Sequence, residues 1–363
     1  MDFTNLDEYE FSYVIEKDGE KIFENSLKLC VEPHQSVNIE IPYEPAACSY
    51  GVYLTATLTK DGKICAKTQH ALPCEIVEVP LAAPAVLTED ELFIYASGEN
   101  FSYTFSRHYG TFTSMIVNGR EQIVDRPVLS AFRAPTDNDR NIKQYWANLN
   151  VWEGENLDTT FSKVYDCFVD GNMIIVDASI AGVSRSPFLR YTQIIEIFAD
   201  GQINFSVDGH IRPDTFWLPR LGFEFTLPGA HDAFTYYGRG PIENYRDMHN
   251  AAPVGLYSST AASEYVNYVF PQEHGNHYET KMLHIGDLEF TASDSFEINV
   301  SEYTPEILFK AKHTDELTKD GNVHLRVDYK VSGIGSNSCG PALEKEYRLA
   351  EKAIHFAFSV KPV

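Results

Sequence analysis

The sequence contains few cysteines, and none of them lies at a spacing typical of a metal site. The six cysteines are scattered through 363 residues, and no C-x-x-C pair occurs among them. A cysteine-based zinc site would lack its usual ligand pattern here. Reduced thiols are the simplest interpretation of these cysteines, and they predict a cytoplasmic protein.

Positive charge is scarce relative to negative charge. The chain has 29 lysines and arginines against 52 aspartates and glutamates, a formal net charge of −23 that is spread along its length. Such a field repels phosphate backbones and anionic lipid surfaces, so neither a nucleic acid nor a membrane is expected as a partner. No apolar run approaches the ~18 residues of a membrane helix, and no signal segment follows Met1. A neutral partner such as a sugar is compatible with this charge.

The motifs of several enzyme classes are absent from the sequence. It contains no G-x-S-x-G, no P-loop, no G-x-G-x-x-G and no H-E-x-x-H. Helical periodicity is also scarce. The one candidate helix covers residues 140–149, with Asp137 or Asn138 as its N-cap.

Short segments of alternating hydrophobicity are abundant before residue 80. Two of them run into hairpin signals, at Asp18-Gly19 and at Asp61-Gly62. The pattern predicts an antiparallel sandwich of the immunoglobulin or fibronectin kind over residues 1–80. Such a sandwich needs about seven strands, whereas five candidates are present, so we expect a partial sandwich and a chain cut from a longer protein. The candidate strands are residues 10–16, 22–29, 36–41 and 53–58, with a fifth after the second hairpin signal.

A proline-containing linker at residues 80–84 is followed by strands that continue to the C-terminus. Almost no helix interrupts these strands, which predicts a large antiparallel β-sandwich over residues 81–363. The predicted fold class is therefore all-β, with a second and larger sandwich after the first. The candidate strands are residues 92–96, 101–106, 114–117, 173–180, 189–198, 202–208, 221–227, 288–300, 324–331 and 353–360.

Four loops of the second region are dense in side chains that could contact a sugar. Two of them, residues 237–247 and 268–276, combine glycine, proline, aromatic and polar residues at a density that ordinary surface loops do not need. The first of the four contains Asp137-Asn138-Asp139, which suits cation or hydroxyl binding, but it lacks the glycine and glutamate of a calcium loop. Helix capping and an arginine–carboxylate pair are the favoured interpretation. The four loops are residues 133–140, 237–247, 268–276 and 332–341.

The second of these loops is interpreted as a buried, hydrogen-bonded structural loop, with a hydroxyl-binding site as the alternative. Its residues Gly238 and Gly240 permit positive φ, and Pro241 fixes the chain just after them. Four polar residues then crowd onto the same short segment, namely Glu243, Asn244, Arg246 and Asp247.

The third loop places Glu273 beside His274, with His277 just after it. These residue types serve in metal sites and in acid–base catalysis, but no second ligand pair follows at a set spacing. Polar scaffolding is therefore the favoured interpretation. The fourth loop contains three glycines and a proline, which predict an exposed, tightly shaped loop of the kind that carries binding groups.

These four loops closely resemble the C-terminal region of the β-galactosidases of glycoside hydrolase family 2. Residues 6–73 resemble the second immunoglobulin-like domain of that family, and residues 86–363 resemble the domain that follows it, a β-sandwich of the galactose-mutarotase type. The resemblance implies that the full-length protein hydrolyses terminal β-D-galactosides with retention. It also implies a homo-oligomeric full-length enzyme with β-galactosides as its substrates.

Both catalytic glutamates of this family lie on a (β/α)8 barrel that precedes the matched region. No stretch of this chain shows the strand–helix alternation that such a barrel requires. The resemblance therefore implies no catalytic residue, metal ligand or cofactor in this chain, and a divalent cation would belong to the barrel of the full-length enzyme. We expect the chain to be inactive alone, to shape the active-site entrance and to support assembly with the barrel region of the same protein.

One loop of this domain places a tryptophan against the bound sugar in the lac-operon type of enzyme. Aligning the glycines of residues 332–341 with that loop puts Cys339 where the tryptophan would be, and a thiol lacks the stacking face of an indole. The resemblance further implies that Asn337 and Ser338 meet sugar hydroxyls. The predicted substrate-binding residues are thus Asn337, Ser338 and Cys339.

Two other functions remain open at this point. An aldose epimerase on a related sandwich would need a Glu and a His that face each other across the sugar ring. The segment around Glu273 and His274 does not resemble epimerase motifs. A stand-alone carbohydrate-binding module would bind galactosides through exposed aromatic residues such as Trp146, Trp152 or Trp217, although these tryptophans could equally be core residues.

Overall fold

A computed structural model describes residues 3–45, 47–77, 79–147 and 154–363. The chain forms two compact units. The first comprises residues 1–80 together with Pro253–Leu256, and the second comprises residues 81–252 and 257–363. Both units are built from β-strands, as the alternating patterns predict.

The first unit contains a four-stranded antiparallel sheet in the order β2-β1-β4-β5 and a separate parallel pair, β3 and β6. Its small core includes Tyr13, Ile15 and Leu54. The strands are β1 (Glu10–Lys17), β2 (Glu20–Lys28), β3 (Ala47–Cys48), β4 (Val52–Lys60), β5 (Lys63–Leu72) and β6 (Glu75–Ile76).

Both predicted hairpin turns are present in the first unit. Asp18 and Gly19 have φ of 53° and 85°, and Asp61 and Gly62 have φ of 50° and 73°. Positive φ at both central residues is the pattern of a type I′ turn, which suits the twist of the two strands that it joins. The predicted strand at residues 36–41 is wrong, because this segment has no strand partner and leaves Val37 52% exposed. Alternation alone does not make a strand where no neighbouring strand offers hydrogen bonds.

The second unit contains a five-stranded antiparallel sheet and a twelve-stranded sheet. The smaller sheet uses β7 (Leu87–Glu89), β8 (Phe93–Ser97), β9 (Phe101–Ser106), β10 (Thr111–Val117) and β11 (Arg120–Glu121). The strands of the larger sheet are β12 (Asp125–Ser130), β13 (Thr160–Asp170), β14 (Met173–Gly182), β15 (Leu189–Ile197), β16 (Ile203–Ile211), β17 (Arg220–Pro228), β18 (Ala233–Arg239), β19 (Val254–Thr260), β20 (Asn276–Ile285), β21 (Leu288–Ser301), β22 (Asn322–Val331) and β23 (Ala353–Pro362).

The main path of the larger sheet runs β12-β17-β22-β21-β23-β16-β15-β14-β13, so β12 and β13 are its two end strands. Alternate residues of β16 are buried, and its Phe205 stacks on Phe358 with ring centroids 4.8 Å apart. Phe112 of the smaller sheet meets Phe205 edge-on at 6.1 Å. One hydrophobic core therefore joins the two sheets, as expected for a large antiparallel β-sandwich.

The predicted helix at residues 140–149 is not an α-helix over the residues that the structure describes. Residues 148 and 149 lie outside them. The described part, residues 140–147, contains the 3-10 turn Lys143–Tyr145, and another 3-10 turn, Asp137–Asp139, precedes it. Trp146 follows these turns, is buried and donates its indole N–H to the carbonyl of Trp217 at 2.7 Å. The one α-helix of the described chain is α1 (Pro305–Lys310), which begins after the N-cap Thr304 and is too short to show a period. Among the described residues, no helix has the length and apolar character to cross a membrane.

Candidate functional site

The four loops singled out in the sequence meet in the second unit, and Arg133 joins the first loop to the fourth. Its guanidinium is fully buried and donates hydrogen bonds to the carbonyls of Ser332 and Gly333. The same group contacts both carboxylate oxygens of Asp139 at 3.1 Å. The arginine–carboxylate pair favoured for this loop is therefore present, and it holds the start of the fourth loop.

Asp139 is a capping residue. Its carboxylate accepts a hydrogen bond from the backbone N–H of Thr136 at 2.9 Å, as in a capping box, and it also accepts one from the Thr136 hydroxyl at 3.1 Å. The backbone N–H of Asp137 donates to the side-chain oxygen of Gln272 in the third loop, at 2.8 Å. No group of three or more His, Cys, Asp or Glu side chains that could hold a metal occurs in the described ranges.

The second loop is hydrogen-bonded, as its favoured interpretation holds, but it is only partly buried: Asn244 and Tyr245 are buried, whereas Ile242 is exposed. The Asn244 amide donates to the carbonyls of Arg239 and Ile242, and its oxygen accepts from the N–H of Tyr278. The Glu243 carboxylate accepts from the N–H of Gly275 at 2.9 Å and from the hydroxyl of Tyr268. These bonds tie the second loop to the third.

The glycines of the second loop serve close packing, and the positive φ considered for Gly238 and Gly240 is not present. A Cβ on Gly238 would lie 2.6 Å from the hydroxyl oxygen of Thr280, and one on Gly240 would lie 2.2 Å from the hydroxyl of Tyr236. Both positions therefore require glycine because the neighbouring side chains leave no room for a methyl group. The peptide bond between Gly240 and Pro241 is cis.

Asp247 at the end of the second loop fixes the backbone of the fourth loop. One carboxylate oxygen accepts from the N–H of Ile334 at 3.0 Å, and the other accepts from the N–H of Gly335 at 2.7 Å. A Cβ on Gly333 would lie 2.5 Å from the carboxylate carbon of Asp247. The approach of this carboxylate thus explains why residue 333 is glycine.

Arg246 and Glu297 form a second anchor beneath the fourth loop. The guanidinium of Arg246 contacts the Glu297 carboxylate at 2.8 Å and donates to the carbonyl of Val331 at 2.8 Å. Glu297 also accepts from the N–H of Val331 and from the amide of Asn276. Burial raises the pKa of Glu297 above its ordinary value, and the nearby Arg246 offsets part of that rise.

The third loop is polar scaffolding, as the favoured interpretation holds. Glu273 is buried and makes a two-point ion pair with Arg326, at 2.6 and 2.8 Å. Burial alone would raise the pKa of Glu273, but the Arg326 guanidinium outweighs it and the pKa lies below its ordinary value. His274 contacts the carbonyl of Gln272 through Nδ1, and His277 contacts Glu264 through Nε2 at 2.9 Å.

The three predicted substrate-binding residues lie together on one exposed turn of the fourth loop. The backbone of this turn is held from outside: the Asn141 amide donates to the carbonyl of Asn337 at 3.0 Å, and the N–H of Ser338 donates to the side-chain oxygen of Asn138 at 3.3 Å. Cys339 is exposed, and Asn337 and Ser338 are half-buried. The side-chain amide of Asn337 makes no hydrogen bond within the described part of the chain.

A small cavity of about 110 Å³ lies beside this turn, and Asn337, Phe216, Trp217 and Arg348 are among its lining residues. Trp146 is 1% exposed and Trp217 is 9% exposed, so both tryptophans belong to the core. Neither offers the open face that a carbohydrate-binding module needs, and Trp152 lies outside the described residues. The core alternative stated for these tryptophans is therefore correct for Trp146 and Trp217.

Reasoning from the sequence did not identify the buried charged residues that form ion pairs with the second and third loops, above all Glu297 and Arg326. Each interrupts a run of buried apolar residues, since Phe296 and Ile298 flank Glu297, and Leu325 and Val327 flank Arg326. A charged residue within such a run needs a partner of opposite charge. That signal is present in the sequence and could have identified both residues.

Comparison with known families agrees with this geometry. Residues 97–360 match the family model described as the β-galactosidase small chain, and residues 1–80 match the model described as β-galactosidase, domain 4. A solved structure with a similar arrangement of strands is the GalM/aldose epimerase homologue of C. elegans, with a TM-score of 0.42 and 9% identity over 76% of this chain and 98% of that one. A likeness of this size carries no conclusion about activity.

Curated relatives carry the name β-galactosidase. The protein of Actinobacillus pleuropneumoniae is 33% identical over 99% of this chain and 37% of its own length. The Staphylococcus xylosus protein is 31% identical over 76% of this chain and 28% of its own length. The Kluyveromyces lactis protein is 29% identical over 99% of this chain and 35% of its own length. The chain thus spans about a third of the length of these relatives, and it belongs to the β-galactosidase small-chain family.

Proposed function

We propose that this chain is the C-terminal part of a β-galactosidase that hydrolyses terminal β-D-galactosides with retention. Its family membership and its coverage of only part of each relative support this proposal. In this proposal both catalytic carboxylates lie on a barrel outside the chain, and the chain alone is inactive. It shapes the entrance of the active site and supports assembly of a homo-oligomeric, cytoplasmic enzyme. A divalent cation used by that enzyme would be held by the barrel.

The observation that carries the entrance role is the contrast between the backbone and the side chains of residues 332–341. The buried Arg133 and the half-buried Asp247 hold the backbone of this loop. The side chains of Asn337, Ser338 and Cys339 at its tip are exposed or half-buried. A rigid loop with available polar side chains loses little entropy when it binds a ligand, so this loop suits sugar recognition.

In this role Asn337 and Ser338 hydrogen-bond sugar hydroxyls, and Cys339 contacts the sugar beyond the galactosyl ring. An amide both donates and accepts hydrogen bonds, as a sugar hydroxyl does. The Cys339 thiol offers a small apolar contact and no stacking face. We therefore expect this loop to bind the leaving sugar more weakly than a loop with a tryptophan at this position would.

The test is hydrolysis of a chromogenic β-galactoside by this chain alone and after mixing with the preceding, barrel-containing region of the same parent protein. We expect no hydrolysis from the chain alone and activity after mixing. In the mixed enzyme, Asn337→Ala should raise KM for lactose. Hydrolysis by the isolated chain would overturn the proposal, because a catalytic carboxylate pair would then lie within these residues.

A further inference from the structure

The second unit contains a cleft of about 720 Å³ between the two end strands of its larger sheet. Residues 126–130 of β12 line one side, and residues 160–164 of β13 line the other. The sheet curls so that its ends approach each other, but β12 pairs with β17 and β13 pairs with β14. The volume lies within the roughly 300–1,000 Å³ that is usual for small-molecule sites.

Gln193 supplies an amide that is open to this cleft. On β15 its neighbours on the same face include the buried residues Leu189, Ile195 and Ile197, so alternation would favour an apolar residue at position 193. Gln193 lines the cleft, and its side-chain amide makes no hydrogen bond with any residue that the structure describes. Its amide does not belong to the fully buried polar atoms without a partner, so it is available to a ligand in the cleft.

Three residues with carboxyl groups also line the cleft, namely Asp158, Glu224 and Glu306. Glu224 accepts a hydrogen bond from the buried Arg220 through one oxygen. No lysine or arginine in the described ranges forms an ion pair with Glu306. Burial, and after it the nearby charge of Glu224, raises the pKa of Glu306 above its ordinary value. This carboxyl group is therefore more easily protonated than an exposed one, and in that form it donates a hydrogen bond as well as accepting.

Aromatic and basic residues line other parts of the same cleft. Phe161 of β13 is 51% exposed and Tyr109 is 46% exposed, so both have open ring surface. The Arg126 guanidinium lies 4.2 Å from the centre of the Tyr109 ring. Lys163 is also exposed among the lining residues.

The charges of the lining restrict the ligand class. The acidic side chains of Asp158 and Glu224 oppose an anion, whereas Arg126 and Lys163 oppose a cation. A neutral molecule with several hydroxyl groups satisfies the amide and the carboxyl groups at once, and its ring face can pack on Phe161. This combination of groups is the chemistry that recognises sugars.

We propose that the cleft between β12 and β13 binds a neutral saccharide of one or two rings, with Gln193 and Glu306 as hydrogen-bonding groups and Phe161 as the stacking surface. The inference stands apart from the proposed function, because none of these residues belongs to residues 332–341. It assigns the larger sandwich a binding site of its own.

The test is calorimetric titration of the 363-residue chain with galactose, lactose and cellobiose, and with galacturonate and spermidine as charged probes. We expect at least one neutral sugar to bind with a Kd of about 1 mM or tighter and both charged probes to bind more weakly. Phe161→Ala should weaken binding about tenfold, equivalent to about 1.4 kcal/mol. Gln193→Leu should weaken it by at least as much.

Phe168→Ala is the matched control, since Phe168 lies on the same strand, is 43% exposed and is outside the cleft. It should leave affinity unchanged. If Gln193→Leu fails to fold by circular dichroism, the half-exposed Phe161 still decides the question. The proposal is overturned if no neutral sugar binds in the millimolar range, or if sugar binding survives Phe161→Ala and is lost in Asn337→Ala.

Discussion

The carboxylate of Asp247 accepts a hydrogen bond from the backbone N–H of Gly335, with 2.7 Å between nitrogen and oxygen. Its other oxygen accepts the N–H of Ile334, so one side chain from the second loop sets the backbone of the fourth. The tip of that fourth loop carries the predicted substrate-binding residues. Their placement therefore depends on a residue that would touch no substrate.

Asp247→Asn should loosen the fourth loop. One carboxylate oxygen becomes an NH2 group, which cannot accept a hydrogen bond and would face a backbone N–H. We expect the free energy of unfolding to fall by about 1–2 kcal/mol. Hydrogen–deuterium exchange of peptides that cover residues 333–340 should become faster while β23 keeps its protection.

Asp170→Asn is the control for this substitution. Asp170 is exposed at a hairpin turn of the same unit. Its replacement should leave both stability and exchange unchanged. Unaltered exchange of residues 333–340 in Asp247→Asn would contradict the anchoring role.

Glu273→Gln should destabilise the second unit by about 3 kcal/mol, because it leaves the buried guanidinium of Arg326 without its counter-charge. The pKa of Glu273 lies below its ordinary value in the folded state, so the folded state binds fewer protons than the unfolded state between the two pKa values. This contribution to stability is present above the unfolded pKa of about 4.3 and is lost as the pH falls through the folded pKa. Urea unfolding as a function of pH measures both effects.

The exposed Glu99 provides the comparison for Glu273. Glu99→Gln should change the free energy of unfolding by less than about 0.5 kcal/mol. Below the unfolded pKa of about 4.3, the difference between wild type and Glu273→Gln should shrink, because the unfolded wild-type chain then binds a proton at residue 273 that the folded state does not. A difference that stays constant as the pH falls well below that value would contradict a charge-based role for Glu273.

Burial should keep the Cys167 thiol unreactive at mildly alkaline pH. All six cysteines are free, and Cys30, Cys65 and Cys339 are exposed. Burial is the main cause that raises the pKa of Cys167, to about 11. Since the thiolate is the reactive form, iodoacetamide at about pH 8 should modify the three exposed cysteines well before Cys167. Mass spectrometry of the labelled peptides gives the order directly, and labelling of Cys167 as fast as Cys65 would contradict it.

Many strands of the core could be predicted from the sequence, whereas β18, β20 and the two end strands of the large sheet could not. Residues 101–106 and the starts of β14 and β15 follow from alternation and from Asp-Gly turns. β12 contains Pro127, and β13 is mostly exposed with polar residues on both faces. Neither strand has the half-buried alternation that signals a strand, because each has a neighbour on one side only. The cleft between them therefore had no sequence signal, although the unpaired Gln193 stands out once β15 is placed.

The substrate-binding residues were predicted from a family resemblance and not from hydrophobic patterning. The pattern of Asn337, Ser338 and Cys339 alone indicates only an exposed turn, whereas their resemblance to a family loop predicts sugar contact. The loop that carries this turn is held by charged side chains distant in sequence, such as Arg133 and Arg246. Their partners are set by tertiary packing, and a linear sequence does not show which carboxylate each arginine meets.

Cys339→Trp offers a direct test of how the fourth loop meets its sugar. Cys339 is exposed, so an indole at this position has room without repacking the core. In the mixed enzyme that contains the barrel region, an indole should stack on the leaving sugar and lower KM for lactose, by about threefold to tenfold if stacking contributes about 0.6–1.4 kcal/mol. KM for a galactoside with a small leaving group should change little, because that substrate lacks the second ring. Cys65→Trp, at an exposed position of the first unit, is the control and should alter KM for neither substrate. Equal effects of Cys339→Trp on both substrates would place the loop tip away from the leaving sugar.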